Sequence, residues 1–345
     1  MKKHLIAAAV AGAFAVPAMA QVTVYGRVDQ GYNTLKATSG ATVNSKTTGI
    51  AGIAAGNRIG FRGEEDLGGG LKASFTAEYA IEPDENTGLG AAGNRQSFLG
   101  LSGGFGSVIV GRQYTLIHSI QGAMDPNGNA NAAGWLPSLT NSVRSDDTII
   151  YTTPSLQGFT ASVSQALAGS EASSAAGATK AGDATGIALA YTAGPLSLRA
   201  VQESIKNTAL SVTRPGQTAA TALSDALANR KAQSVGASYN FGPATVYFLN
   251  TSARGGSAAD AGKLTSNNIG LRVPLGAITA NASVSTGKYT DSGAASVKLS
   301  GYVLGANYAL SKRTAVYTFV GETKDKLTTN AGKRSTFAIG VGHNF

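Results

Sequence analysis

Apolar and polar residues alternate with a period of two through one segment after another of this chain. Near the start Val22, Val24, Gly26 and Val28 take one parity, and Thr23, Tyr25, Arg27 and Asp29 the other. Further on, Leu71, Ala73, Phe75, Ala77, Tyr79 and Ile81 alternate with Lys72, Ser74, Thr76, Glu78 and Glu82. Successive side chains of a strand point to opposite faces, so this pattern demands strands with one oily and one polar face. It predicts sixteen of them, over residues 21–33, 56–63, 71–82, 94–102, 106–114, 147–153, 158–167, 184–193, 196–205, 232–241, 244–252, 265–273, 277–287, 297–309, 313–323 and 334–345.

The connections are as regular as the strands. Short turns such as Gly68-Gly69-Gly70, Gly103-Gly104, Gly194-Pro195, Gly242-Pro243 and Leu310-Ser311-Lys312 alternate with longer loops rich in Gly, Ala, Ser and Asn, the first of them Thr34 to Ala55. Glu64-Glu65-Asp66 is assigned to the first short turn as solvated carboxylates rather than a metal cluster. Hairpins of this kind, with short turns at one end and long loops at the other, define an all-β, antiparallel transmembrane β-barrel of sixteen strands. The even number puts both chain ends on one side, so the last strand can close on the first. In lipid closure is obligatory, because every backbone N–H and C=O must pair within the protein. A soluble barrel of this size would enclose more volume than these small side chains could fill. Mean hydropathy is near zero, as alternation requires.

Two strands resist a parity assignment. In 106–114 either Val108, Val110 and Arg112 or Ile109, Gly111 and Gln113 face inward, and in 94–102 Leu99 and Leu101 share a face with Arg95.

Residues 1–20 are expected to be a cleaved signal peptide: Met1-Lys2-Lys3-His4, an apolar Leu5–Val16 and the Ala18-Met19-Ala20 cleavage site. The remainder, 21–345, is expected to form one barrel domain. It has no cysteine, so disulfides do not hold it together. Without Lys2 and Lys3, 26 Lys and Arg stand against 19 Asp and Glu, a net of +7. These charges are scattered singly, which suits a lined cavity better than a nucleic-acid surface.

Residues 113–147 carry no sustained pattern, and a connection this long is usually functional. It is expected to fold into the lumen as a constriction loop. Hydrolytic chemistry finds little support. His118 has Ser119 and Asp125 near in sequence but no spacing beyond chance, and His343 lies on the outward parity. Gly-Leu-Gly-Ala-Ala-Gly at 88–93 lacks the helix a dinucleotide fingerprint needs. Phe159, Tyr239, Phe241 and Phe345 lie beside turns, as an interfacial girdle would. Trp135 is assigned to packing within the loop, Arg199 and Arg272 to ordinary lumen positions, and Arg27 to pairing with Asp29.

Several stretches resemble the sixteen-stranded general diffusion porins of Gram-negative outer membranes. They are Gln21-Val22-Thr23-Val24-Tyr25-Gly26-Arg27, the run from Arg58 through Gly60-Phe61-Arg62-Gly63-Glu64-Glu65-Asp66 to Leu71, Gly111-Arg112-Gln113-Tyr114, and Phe337, Ile339, Val341, His343 and Phe345 at the end. The resemblance implies a homotrimer of water-filled channels for small hydrophilic solutes and ions, exported to the outer membrane, surrounded by its lipid, and without cofactor or metal. It implies a role for Phe345 in recognition by the barrel-insertion machinery, and an arginine ladder facing the inward loop. Arg58, Arg95 and Arg144 match that ladder, with Arg62 and Arg112 added from parity and position. Relatives often carry several loop carboxylates; between Gln113 and Asn141 this chain has only Asp125. Five arginines against one carboxylate predict a preference for anions. The alternatives are a substrate-specific channel, or an adhesin or receptor using loops 168–183 and 206–230.

Overall fold

The computed structural model describes residues 22–39, 42–50, 56–84, 94–128, 143–167, 183–206, 230–255, 262–290, 296–326 and 332–345. The expected signal peptide, Trp135, the 88–93 glycine run and most of loops 168–183 and 206–230 lie outside these residues.

Among the described residues seventeen antiparallel strands form one closed sheet. They are β1 (Thr23–Ser39), β2 (Thr42–Ile50), β3 (Arg58–Gly68), β4 (Leu71–Ala80), β5 (Asn94–Gly103), β6 (Gly106–Tyr114), β7 (Arg144–Thr152), β8 (Phe159–Ala166) and β9 (Ala184–Ala193) in the first half. The second half holds β10 (Leu196–Ile205), β11 (Arg230–Asn240), β12 (Thr245–Gly255), β13 (Gly262–Leu275), β14 (Ile278–Thr290), β15 (Val297–Ala309), β16 (Thr314–Asp325) and β17 (Gly332–Asn344). Along one flank β1 pairs with β17, from Arg27↔Asn344 to Ser39↔Gly332. Along its other flank β2 and β3 take turns: residues 23–27 pair with β3 and residues 32–39 with β2. Seventeen segments therefore fill sixteen positions in the wall. The seam ends with Gly26 and Phe345 exchanging both backbone hydrogen bonds at 3.1 Å.

The outward face is the oily one. Val284 is 56% and Ile339 48% exposed, while the alternate residues Ser283, Ser285 and Ala338 are buried against the interior. The girdle aromatics are exposed beside their turns, with Phe159 against Tyr191 at 4.3 Å and Tyr239 against Phe241 at 4.6 Å.

Three local expectations are corrected. Thr34–Ala55 is not simply a loop: β1 runs on to Ser39, still paired with β17, and returns as β2 along the flank that β3 takes farther down. Nor do Glu64, Glu65 and Asp66 make the first turn; they finish β3, and Gly68, Gly69 and Gly70, all at positive φ, turn the chain. The strand expected at 147–153 starts at Arg144, passing a bulge where Asp147 has φ 47°.

Candidate pore constriction

The inner face of β3 to β7 gathers three arginines around one carboxylate and one phenol. Phe75, Ala77 and Tyr79 alternate outward on β4, so Glu78 points in, and it is only 3% exposed. Arg95 reaches it through a fault in the ladder. Glu78 pairs with Gln96 but Tyr79 with Asn94, leaving Arg95 as the extra residue of a β-bulge. A bulge re-aims side chains, which reconciles outward Leu99 and Leu101 with inward Arg95. Its Nε donates to Glu78 Oε1 at 2.5 Å and its Nη2 to the Tyr114 hydroxyl at 3.0 Å. Arg58, at the start of β3, places Nη1 3.9 Å from Glu78 Oε2 and donates Nε to the Gly56 carbonyl. From β7, Arg144 donates Nη2 to the same Tyr114 hydroxyl at 3.3 Å, its guanidinium 4.8 Å from the ring centre. Tyr25 donates to Glu78 Oε2 at 3.2 Å.

The other candidate residues lie elsewhere. Arg62 faces the lumen nearer the short turns, over the Tyr25 ring at 5.1 Å. Arg112 takes the outward parity with Val110, donating to Asp146 at 2.5 Å and to the Asn94 carbonyl at 2.9 Å; the structure does not bring it to the other arginines. Asp125, the loop's carboxylate, is 3% exposed and accepts from the Asn127 backbone N–H at 2.9 Å, so it shapes a turn instead of facing water.

The described part of the loop, residues 115–128, crosses from β6 and lies against the interior of β9 to β15. Thr115 caps α1 (Leu116–Ala123), its hydroxyl accepting the His118 N–H. The next orphan donor, Ile117 N–H, is taken by Glu203 Oε1 of β10 at 3.2 Å. Gln121 donates to Ser234 at 3.2 Å, and Arg272 donates two bonds to the Pro126 carbonyl at 3.1 and 2.5 Å. Arg272 is thus a clamp on the loop, which parity alone could not distinguish from an ordinary lumen residue. Apolar packing completes the seat: Ile117 and Ile120 against Val201 and Ala232, and Met124 against Leu249 and Phe319. At two places the loop lies so close that the wall carries glycine. A Cβ on Gly236 would come 2.7 Å from the Met124 side chain, and one on Gly270 2.7 Å from the Pro126 ring.

His118 lies beside Tyr114 at 5.0 Å. Burial first, then Arg144 and Arg95, pushes its pKa down to about 4, so it is neutral at pH 7. Among the described residues no three His, Cys, Asp or Glu come together as a metal site. What the arrangement can do is present fixed positive charge to whatever passes the loop.

A closed membrane barrel with an oily exterior and a loop held inside is the architecture of an outer-membrane diffusion channel. A profile of the Gram-negative porin family matches residues 7–328, and the chain belongs to that family. It is similar to outer membrane porin protein 32 of Delftia acidovorans, 32% identical over 99% of this chain and 95% of that one. It is also similar to an outer membrane porin protein of Bordetella pertussis, 28% identical over the full length of both. Among solved structures, the anion-selective porin from Comamonas acidovorans superimposes with a TM-score of 0.73 at 25% identity, covering 94% of this chain and all of that one. The protein is therefore an outer-membrane channel for passive diffusion of small solutes and ions, not an enzyme.

Proposed function

We propose that this channel prefers anions and that Arg58, Arg95 and Arg144 form its filter. The supporting observation is the charge balance of the constriction. Three guanidiniums share one wall with a single carboxylate, Glu78, and the loop's Asp125 is folded away. The surplus is about two positive charges, in a cavity whose low-dielectric walls focus the field on the water between. Arginine keeps that charge at any relevant pH and offers several donors to a carboxylate or phosphate in passage. The relative from Comamonas acidovorans carries anion selectivity in its description. Arg62 adds to the approach on the short-turn side. Arg112, bound to Asp146, contributes little.

The decisive measurement is the reversal potential of the purified protein across a potassium chloride gradient at low salt. An anion-selective sign is expected, fading as screening shortens to ~8 Å at physiological ionic strength. A cation-selective sign would refute the reading.

The proposal extends to a homotrimer of full barrels (residues 21–345) surrounded by outer-membrane lipid and delivered by the barrel-insertion machinery through Phe345. That ring lies over Gly26, where an added Cβ would come 2.3 Å from the Phe345 ζ carbon, so the terminal aromatic and the first strand fit each other closely. Removing Phe345 should slow insertion while leaving the conductance of inserted channels unchanged.

A further inference from the structure

Arg199 carries a positive charge on the half of the wall that seats the loop, and neither the filter nor the loop uses it. On β10 it takes the inward parity with Val201 and Glu203, while Leu198 points out and is 41% exposed. Its cross-strand partners are Ala190 on β9 and Gly236 on β11. Gly236 is the glycine on which Met124 rests, so Arg199 stands at the edge of the seat. Glu203, which holds the start of α1, lies four residues away toward the long loops, about 13 Å at roughly 3.3 Å per residue. Arg199 is therefore on the short-turn side of the loop, half-buried and facing the lumen.

Arg27, Arg58, Arg95, Arg144 and Arg272 each donate to protein oxygens. Arg199 donates to none among the described residues, and its Nε is buried without a hydrogen-bond partner. So is the Oγ of Ser197, the next inward residue of the strand. Leaving a buried donor unsatisfied is costly, most of all a charged one, and each such group in a native structure calls for a reason. No counter-charge is at hand. On strands β8 to β12 the one carboxylate is Glu203, and it is engaged with the Ile117 N–H. Hydroxyls are at hand instead. Ser197 is in register with Thr192 on β9 and Ser238 on β11, so a row of three runs beside the guanidinium, one step nearer the short turns.

We propose that Arg199 and Ser197, with Thr192 and Ser238 beside them, form a binding station for small oxyanions on the short-turn side of the constriction. The guanidinium is a planar fork that matches two oxygens of a phosphate or carboxylate. The hydroxyls donate to the oxygens that remain. Binding there is weak and brief, as conduction requires. The station goes beyond the anion filter and uses none of its residues.

The test records chloride current through the full-length channel in a planar bilayer. Inorganic phosphate is added to one side, and the voltage is set to draw it inward. From the short-turn side phosphate reaches Arg199 before the filter; from the other side it must pass the filter first. Half-block should need about tenfold less phosphate from the short-turn side, the effect of one charge-assisted hydrogen bond. Arg199→Gln should remove most of that difference. Ser197→Ala alters no charge and should raise the half-blocking concentration from that side about threefold. An unchanged value in Ser197→Ala would mean that the arginine acts through its field without a site, and would overturn the proposal. Equal block from the two sides in the wild type, or the full difference persisting in Arg199→Gln, would overturn it as well. The reversal potential of the same channels keeps this separate from the filter. An anion-selective wild type without one-sided block removes the station and leaves the filter standing, and one-sided block in a cation-selective wild type does the reverse.

Discussion

The inner faces of the two halves of the barrel obey the same parity rule and do opposite things with it. On β3 to β7 the inward side chains include three arginines, partly open to the lumen and gathered around Glu78 and Tyr114. On β9 to β15 the inward side chains are covered, and they form a seat of Val201, Ala232 and Leu249 with Glu203, Ser234 and Arg272 as polar fasteners. A lumen is therefore not uniformly polar: where a loop lies on the wall, the wall behaves as a protein core. On the proposed reading the difference assigns separable tasks, with one half setting the charge of the passage and the other its width.

The largest effect should come from breaking the seat. Ile117 and Met124 are fully enclosed, and truncating each to alanine costs about 2–5 kcal/mol in a well-packed site. The double variant Ile117→Ala, Met124→Ala should release α1 from the wall. Single-channel recordings should show irregular conductance steps and frequent closures, with a weaker effect on ion preference. A steady, wild-type trace would mean the fasteners alone hold the loop.

Next comes the opposite half. Replacing Arg58 and Arg95 by glutamine removes two charges and leaves Glu78 to offset Arg144. Taking ~1 kcal/mol for each screened charge, the anion-to-cation permeability ratio should fall roughly fivefold per arginine. Conductance noise should stay at the wild-type level, since neither residue touches α1 among the contacts described. A loss of ion preference together with unstable conductance would show that the two halves are coupled.

Glu203→Gln is a finer probe. It keeps an acceptor for the Ile117 N–H but replaces the carboxyl at the start of α1 by an amide, a weaker partner by about 1 kcal/mol. The expected outcome is a modest rise in closing frequency under applied voltage, well short of that in the double alanine variant. No change in closing frequency would assign the seat to packing alone.

How much of this is legible in the sequence follows from what a period of two can encode. It specifies which face a residue takes, so the strands, the turns and the outward Val284 and Ile339 can be read directly. It fails at a bulge, where one extra residue reverses the phase: by parity Arg95 shares a face with Leu99 and Leu101, and Arg112 can be placed inside. It also says nothing of what an inward residue touches. Glu78 is on the right face, yet its role depends on Arg95 and Tyr25, brought to it from β5 and β1. Arg272 and Asp125 escape the sequence reading for the same reason. Their partners, Pro126 and the Asn127 backbone, are set by the path of the loop, which has no periodicity to read.

The smallest predicted effect is an absence, and it tests whether the halves meet where they should. His118 is on α1, the seated element, yet the charges that face it, Arg144 and Arg95, belong to the filter. If the loop sits as described, His118 stays neutral down to about pH 4 instead of taking a proton near 6.5. Between pH 7.5 and 5.5 the reversal potentials of wild type and His118→Gln should then move in parallel. A histidine brought out of its buried place beside those arginines would gain charge in that interval, and the wild type alone would shift toward anions. Stability should respond in the opposite sense. The unfolded chain binds this proton near pH 6.5 and the folded one only near 4, so the native state loses stability as pH falls through that window. Below about pH 4 both states carry the proton and the loss stops growing. His118→Gln lacks this linkage, so its unfolding temperature should fall less than that of the wild type across the same interval. An equal fall would place His118 in open water instead of buried beside the arginines, and the loop away from the wall that carries them.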